Sequence, residues 1–345
     1  MHNFPYTNIR HLSVHRVGNR TADEGVYCTK AGVEISTGLH DLLLNYFLTP
    51  FKSTEYFHLY HEESLFSNEV YAAVQRIFEQ PNRLHAQSVL LAKYLYEQST
   101  HPKIKSGELY VAYLADCVVD GEAVDAIGLF KSENKEPFLK VEQDDENFVM
   151  ESELGINLQK LDKGCIIFNT ERDKGYMVAV VDNSSRGAEA SFWIDDFLHL
   201  CQRKDEYYNT RNVLTLCKNF VNNELPQQFE VSKADQADFL NRSVKFFKEN
   251  DNFDMDEFAN EVIAQPDVIR SFNKYKMEYE KDFDIDIVDN FAISDNAVKK
   301  EARVFKSVIK LDKNFHIYVH GNRELIERGT DEKGKFYKVY YKEEN

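Results

Sequence analysis

A chain of 345 residues with 43% hydrophobic and 13% aromatic side chains is long enough to bury a core, and by length it holds about two domains. Its formal charge of −16 repels phosphate backbones and anionic lipid, which excludes uniform coating of a polyanion and leaves a local face or an intermediary. Five cysteines, Cys28, Cys117, Cys165, Cys201 and Cys217, are widely spaced with no CxxC pair, a pattern of free thiols in a reducing compartment and not of a disulfide framework or zinc site.

Residues 9–18, IRHLSVHRVG, intersperse Ile9, Leu12, Val14 and Val17 with Arg10, His11, His15 and Arg16, which predicts a first strand with imperfect alternation. A second short strand is expected at 32–35, followed by Ser36 and Thr37 as the N-cap of a helix over 39–48 that Pro50 ends. Leu65, Phe66, Val70, Tyr71, Val74, Ile77 and Phe78 recur at helical spacing up to Pro81, and a second helix covers 84–96. The strongest local signal is 108–131, ELYVAYLADCVVDGEAVDAIGLFK. Two apolar, partly β-branched runs flank Asp120-Gly121, whose positive φ angles suit a type I′ turn and hence a long antiparallel hairpin. Short β-rich runs at 138–141, 164–169 and 176–181 complete a meander of five strands, read as one antiparallel sheet packed on the earlier helices.

The pattern changes at the polar, turn-rich segment 182–187. This predicts an N-terminal α+β domain, 1–185, and a C-terminal domain, 186–345, helical over 190–281 and then a short-strand basic unit over 297–342. Helical runs are expected at 213–221, 239–247 and 258–279, the last broken near Pro266. The fold class is α+β. Residues 297–342 carry twelve Lys or Arg against six Asp or Glu, a local excess of +6 in a chain of −16.

Acidic runs invite a metal reading. DFDIDIVD at 282–289 and DNFDMDE at 251–257 lack the glycine that lets a calcium loop turn sharply. Phe283, Ile285 and Ile287 alternate with the aspartates as in an edge strand with one wet face. Asp116, Asp125, Glu136 and Lys140 on or after the hairpin could be assembled into a metal-dependent nuclease site, although their spacing fits no nuclease pattern and a solvated strand face also accounts for them. The pairs His11/His15, His58/His61 and His316/His320 lack the intervening Glu of a zinc helix. GxSxG, P-loop and GxGxxG motifs are absent, so the expectation is a noncatalytic protein with no cofactor and no metal.

In the basic stretch, cations interleave with Phe305, Phe315, Tyr318, Phe336, Tyr337, Tyr340 and Tyr341. Cations suit phosphates and aromatics suit unpaired bases. Lysines along the edges of a small β unit, discouraging edge pairing, are the competing account.

Four stretches, HLSVHRVGN, YHEESLFSNEVY, LYVAYLADCVVDGEAVDAIGLF and RVFKSVIKLDKNFHIYVHGN, resemble in order and pattern the bacterial nucleoid-associated protein family called NdpA or YejK. The resemblance spans nearly the whole chain and implies association with the nucleoid, with no catalytic set to carry over. Together with the basic unit it leads to an expected DNA contact that is electrostatic and sequence-tolerant, with Lys299, Lys300, Arg303, Lys306, Lys310 and Lys313 on phosphates. Chromosome-associated proteins are the other expected partners, and oligomerisation is left open. No signal peptide or membrane-length apolar window is present, so the expected location is cytoplasmic, at the nucleoid. Two alternatives stand beside this reading: an acidic factor that acts on a DNA enzyme through protein contacts, and the metal-dependent nuclease.

Overall fold

In the computed structural model, residues 1–145, 147–183, 192–303, 305, 308–311, 315–318, 325–341 and 343 are described, 308 and 310 by backbone only. The chain divides into two compact units, Met1–Arg203 and Lys204–Asn345. The expected boundary near 185 thus moves to Arg203, because the segment after it is committed to the first unit: Trp193 is fully buried in that unit's core, and Leu200–Gln202 pairs with Phe57–Leu59.

The strands of the first unit are β1 (His2–Asn3), β2 (Asn8–Val17), β3 (Val26–Cys28), β4 (Phe57–Leu59), β5 (Gly107–Val119), β6 (Glu122–Ser132), β7 (Lys135–Asp144), β8 (Asn147–Ile156), β9 (Lys163–Phe168), β10 (Met177–Asp182) and β11 (Leu200–Gln202). Nine of them form one antiparallel sheet in the order β11-β4-β10-β9-β6-β5-β2-β3, with β1 on the end of β5. The hairpin is as the sequence predicts. Val119 pairs with Glu122, and Asp120 and Gly121 have φ of 51° and 88°, both left-handed as a type I′ turn requires. Asp116, at φ 59°, occupies a bulge where the register shifts between Leu114 and Cys117.

Side-chain alternation on β5 and β6 explains the layering, since successive residues point to opposite faces. Leu109, Val111, Tyr113, Ile127 and Leu129 join one core with helices α2 (Glu69–Glu79) and α3 (Leu84–Gln98). Ala112, Leu114, Ala126 and Phe130 join a second core with α1 (Thr37–Leu48). A sheet with helices on both faces must be apolar on both, and this is why the run YVAYLA has no polar alternation.

Three expectations are corrected. Residues 138–141 are outside the sheet, in β7, which among the described residues pairs only with β8 as a separate two-stranded ribbon. Residues 32–35 form no strand; Val26–Cys28 pairs with β2 in their place. The aspartate-rich 282–289 is no edge strand either: it runs from the end of a helix through a left-handed Asp284 into an irregular segment, and of its residues Ile287 is buried in the core.

The second unit contains helices α4 (Glu206–Asn219), α5 (Lys233–Glu249), α6 (Pro266–Phe283) and α7 (Asp295–Ala302). Asp205 caps α4, and Ser232 with Asp235 forms a reciprocal capping box on α5. Pro266 opens α6, where its missing N–H costs nothing. Their core is rich in phenylalanine, with Phe220, Phe246, Phe247, Phe253, Phe258 and Phe272 buried. Strand β12 (Asn252–Asp254) pairs with β13 (Asn290–Ala292), β14 (Val308–Lys310) with β15 (His316–Tyr318), and β16 (Ile326–Asp331) with β17 (Gly334–Val339). Ile309 and Ile326 bury against Ala234 at the start of α5, which docks the closing strands on the helical core.

Candidate nucleic-acid interface

The expected phosphate contacts begin on α7. Ser294 caps this helix, and its backbone N–H donates to Thr210 Oγ1 of α4 at 3.0 Å. Ala297 and Val298 are buried, so the remaining positions of the last turn, Lys299 and Lys300, are pushed to the surface together with the capping Arg303. Cations at a helix C-terminus are favoured by the macrodipole. Lys299 and Arg303 stand at i and i+4, about one turn apart on one face, and no ion pair among the described residues engages either. Lys300 lies over the Tyr207 ring at 5.7 Å. Asp295 sits at the other end of the same face, so the positive field is confined to the last turn.

Lys306 and Lys313 lie outside the described residues, and of Lys310 only the strand backbone, paired with His316, is described. Some cations elsewhere in the second unit are paired, Arg242 with Asp238 at 2.8 Å, Lys274 with Glu278 at 3.6 Å and Lys276 with Asp289, while Lys218, Lys233, Lys248 and Lys281 on the helices make no ion pair among the described residues. On the β16–β17 ribbon, Lys338 meets Glu327 at 3.8 Å and rests on the Tyr340 ring at 4.6 Å, while Arg328, Lys333 and Lys335 are exposed.

The aromatics divide. Phe305 belongs to the helical core and Tyr337 packs on the small Ile309–Ile326 cluster, so neither is a surface for bases. Phe315, Tyr318, Phe336, Tyr340 and Tyr341 are exposed. No local pattern separates the two groups, because the distinction depends on which strand face meets α5.

The carboxylates considered for a nuclease each have a separate partner. Tyr113 O–H donates to Asp125 Oδ2 at 2.6 Å, Arg10 pairs with Asp116 at 3.7 Å, Asn157 donates to Glu136 at 2.9 Å and Lys140 pairs with Glu142 at 2.7 Å. The histidines are similarly dispersed: His15 bonds Ser88 Oγ at 2.7 Å, and His58 bonds Glu171 at 2.6 Å. Among the described residues no three His, Cys, Asp or Glu converge as a metal site. All five cysteines are free, and burial pushes the Cys117 thiol up to about 12, which leaves it protonated and unreactive at neutral pH.

Sequence reading missed a network in the first unit. Glu171, in a left-handed conformation at φ 55°, accepts from Arg203 Nη2 at 2.6 Å and Nε at 3.0 Å as well as bonding His58. Burial works against its charge, but the Arg203 and His58 hydrogen bonds outweigh that and hold its carboxyl below the usual range. These residues are far apart in the chain, and nothing local announces their meeting. Each of the three is satisfied by the others, and the network joins β4, the turn before β10 and the end of β11.

Fold and surface together define an α+β protein of two units, with exposed cations at the end of α7 and on the β16–β17 ribbon and exposed aromatics in the closing strands. The family model described as nucleoid-associated protein YejK matches residues 13–335, nearly the whole chain, and the chain belongs to that family. None of the curated proteins matches the chain. No helix among the described residues is long and apolar enough to cross a membrane.

Proposed function

We propose that the chain binds DNA without chemistry, through a basic face that includes Lys299, Lys300 and Arg303 and continues through Lys306, Lys310 and Lys313. The observation that carries this reading is the clustering of exposed Lys299, Lys300 and Arg303 at the end of α7, where Lys299 and Arg303 stand one turn apart and no ion pair among the described residues engages either. Two like charges at that spacing repel by a few tenths of a kcal/mol, and a phosphate between them turns repulsion into attraction. Five exposed aromatics in the same closing segment supply stacking surface for unpaired bases. Membership of a nucleoid-associated family supports the destination.

Binding of this kind is governed by counterion release. Each neutralised phosphate adds about −0.9 to the slope of log K against log salt. The test is a gel shift on the intact chain and on Lys299→Glu/Lys300→Glu/Arg303→Glu, at two salt concentrations and with several unrelated DNA sequences. The expected result is uniform weakening and a slope shallower by about 2 to 3. Binding unchanged by the triple reversal overturns the assignment of this face. Truncation before Ala297 is the poorer experiment, because it strips Ala297, Val298 and Phe305 from the core.

The −16 charge favours a second reading, in which nucleoid association runs through DNA-bound proteins with basic surfaces. Co-purification that survives nuclease treatment supports that route, and complete loss after the treatment retires it.

A further inference from the structure

The ribbon β7–β8 is two-faced. Its register places Pro137 opposite Leu154, Leu139 opposite Ser152, Val141 opposite Met150 and Gln143 opposite Phe148. Directly opposed residues project to the same side, so this side carries no carboxylate, and its one ionisable group is Lys135 at the base of the ribbon, paired with Glu108 at 2.7 Å. Glu136, Lys140, Glu142, Asp144, Glu151 and Glu153 take the other side, with Phe138 and Val149 among them.

The carboxylate-free side is bare. Leu139 is 65% exposed, Val141 52%, Phe148 72%, Met150 69% and Leu154 70%, and among the described residues no other strand pairs with the ribbon. An isolated two-stranded ribbon is marginal in water and needs a third layer on its apolar face. Five uncovered large side chains on one side are the signature of an interaction surface rather than scattered surface apolar residues.

We propose that this ribbon is a dimerisation arm, and that the apolar faces of two copies stack on each other about a twofold axis. The match is to a second copy for two reasons. A chain of −16 meets itself best where carboxylates are absent, and this face has none, its single Lys135 being paired with Glu108, while its reverse carries five carboxylates against one lysine. Stacking face to face leaves those carboxylates outside, in water, on opposite sides of the pair. The area also suffices. At ~150–200 Å² of accessible surface for a large apolar side chain, the five offer on the order of 600 Å² per copy, and ~1,200 Å² for the pair reaches the lower range of specific interfaces. A twofold stack is self-complementary, since one patch serves both partners.

Sedimentation equilibrium of the full chain and of three variants tests the arm. Wild type is expected to be a dimer. Leu139→Glu/Met150→Glu should be monomeric with its thermal unfolding unchanged, because neither residue joins a core of its unit, and Glu153→Gln on the reverse side should remain dimeric. If the double glutamate variant does not fold, Leu139→Ser/Met150→Ser should raise the dimer dissociation constant at least about tenfold. A monomeric wild type, or a dimer that both Leu139/Met150 variants leave intact, overturns the proposal.

Discussion

Lys131 on β6 and Lys163 on β9 are register partners, and neither ammonium reaches solvent. Lys131 Nζ donates to Glu133 at 2.8 Å and to the Lys105 carbonyl at 2.7 Å; Lys163 Nζ donates to both oxygens of Asp182, at 3.0 and 3.1 Å. The Phe192 ring lies 5.7 and 5.5 Å from the two ammonium groups. Burial pushes the Lys131 ammonium below the usual lysine range, and Glu133 opposes that fall.

Breaking one partner of a buried pair leaves an uncompensated charge, which costs more than the pair contributes. Glu133→Gln should therefore lose about 3 kcal/mol in urea unfolding, and Lys131→Met/Glu133→Gln should recover more than half of that loss. Equal stability of Glu133→Gln and wild type removes the ion pair from any account of the sheet's stability.

His15 sets an acid limit. It is buried on β2, bonded to Ser88 Oγ at 2.7 Å and accepting at Nδ1 from the Thr29 N–H at 3.2 Å. Burial, with a smaller contribution from His85, lowers its pKa to about 4. The unfolded chain titrates near 6.5, so between these values the unfolded state binds more protons and stability falls as pH drops. At ~1.4 kcal/mol per pH unit, the loss across this window is about 3 kcal/mol. A plot of unfolding free energy against pH should bend downward below 6.5 in wild type and bend less in His15→Gln; parallel curves would show that another group is responsible.

Gly175, at φ 105°, passes so close to β4 that an added Cβ would sit 2.0 Å from the Leu59 carbonyl oxygen. Its own carbonyl accepts from Leu59 N–H at 2.9 Å, so neither strand can move aside without losing a bond. Gly175→Ala should cost at least about 2 kcal/mol, from left-handed strain plus the clash. By contrast Gly121→Ala, in open space at φ 88°, should cost about 1 kcal/mol from strain alone. Chemical denaturation of the two variants decides whether close approach adds to conformation.

The single tryptophan, Trp193, is fully buried in the core of the first unit. Its emission should be blue-shifted and should report that unit alone. In Phe220→Ala, which opens a cavity in the second core at a cost of about 3–5 kcal/mol, the helical circular-dichroism transition should move to lower temperature while the fluorescence transition keeps its midpoint. A fluorescence midpoint that follows the helices would assign residues 192–202 to the wrong unit.

Local chemistry made much of the first unit legible. Asp120-Gly121 dictates its turn through backbone conformation, and the helices over 69–98 and 206–283 announce themselves by periodicity, caps and prolines, all properties of neighbours in the chain. Family order along four stretches and the charge segregation of 297–342 are likewise linear facts. Pairing partners are not. Lys131 beside Lys163, Glu171 between His58 and Arg203, and Leu139 on the same side as Met150 arise from strand register, which is set when apolar faces compete for burial across long separations. Burial also sorted Phe305 and Tyr337 from Phe315 and Tyr341, residues alike in type and setting. Composition and spacing decided which groups the chain possesses, and only the register decided which of them share a face, because a side chain's neighbours across a sheet carry no trace in the residues beside it.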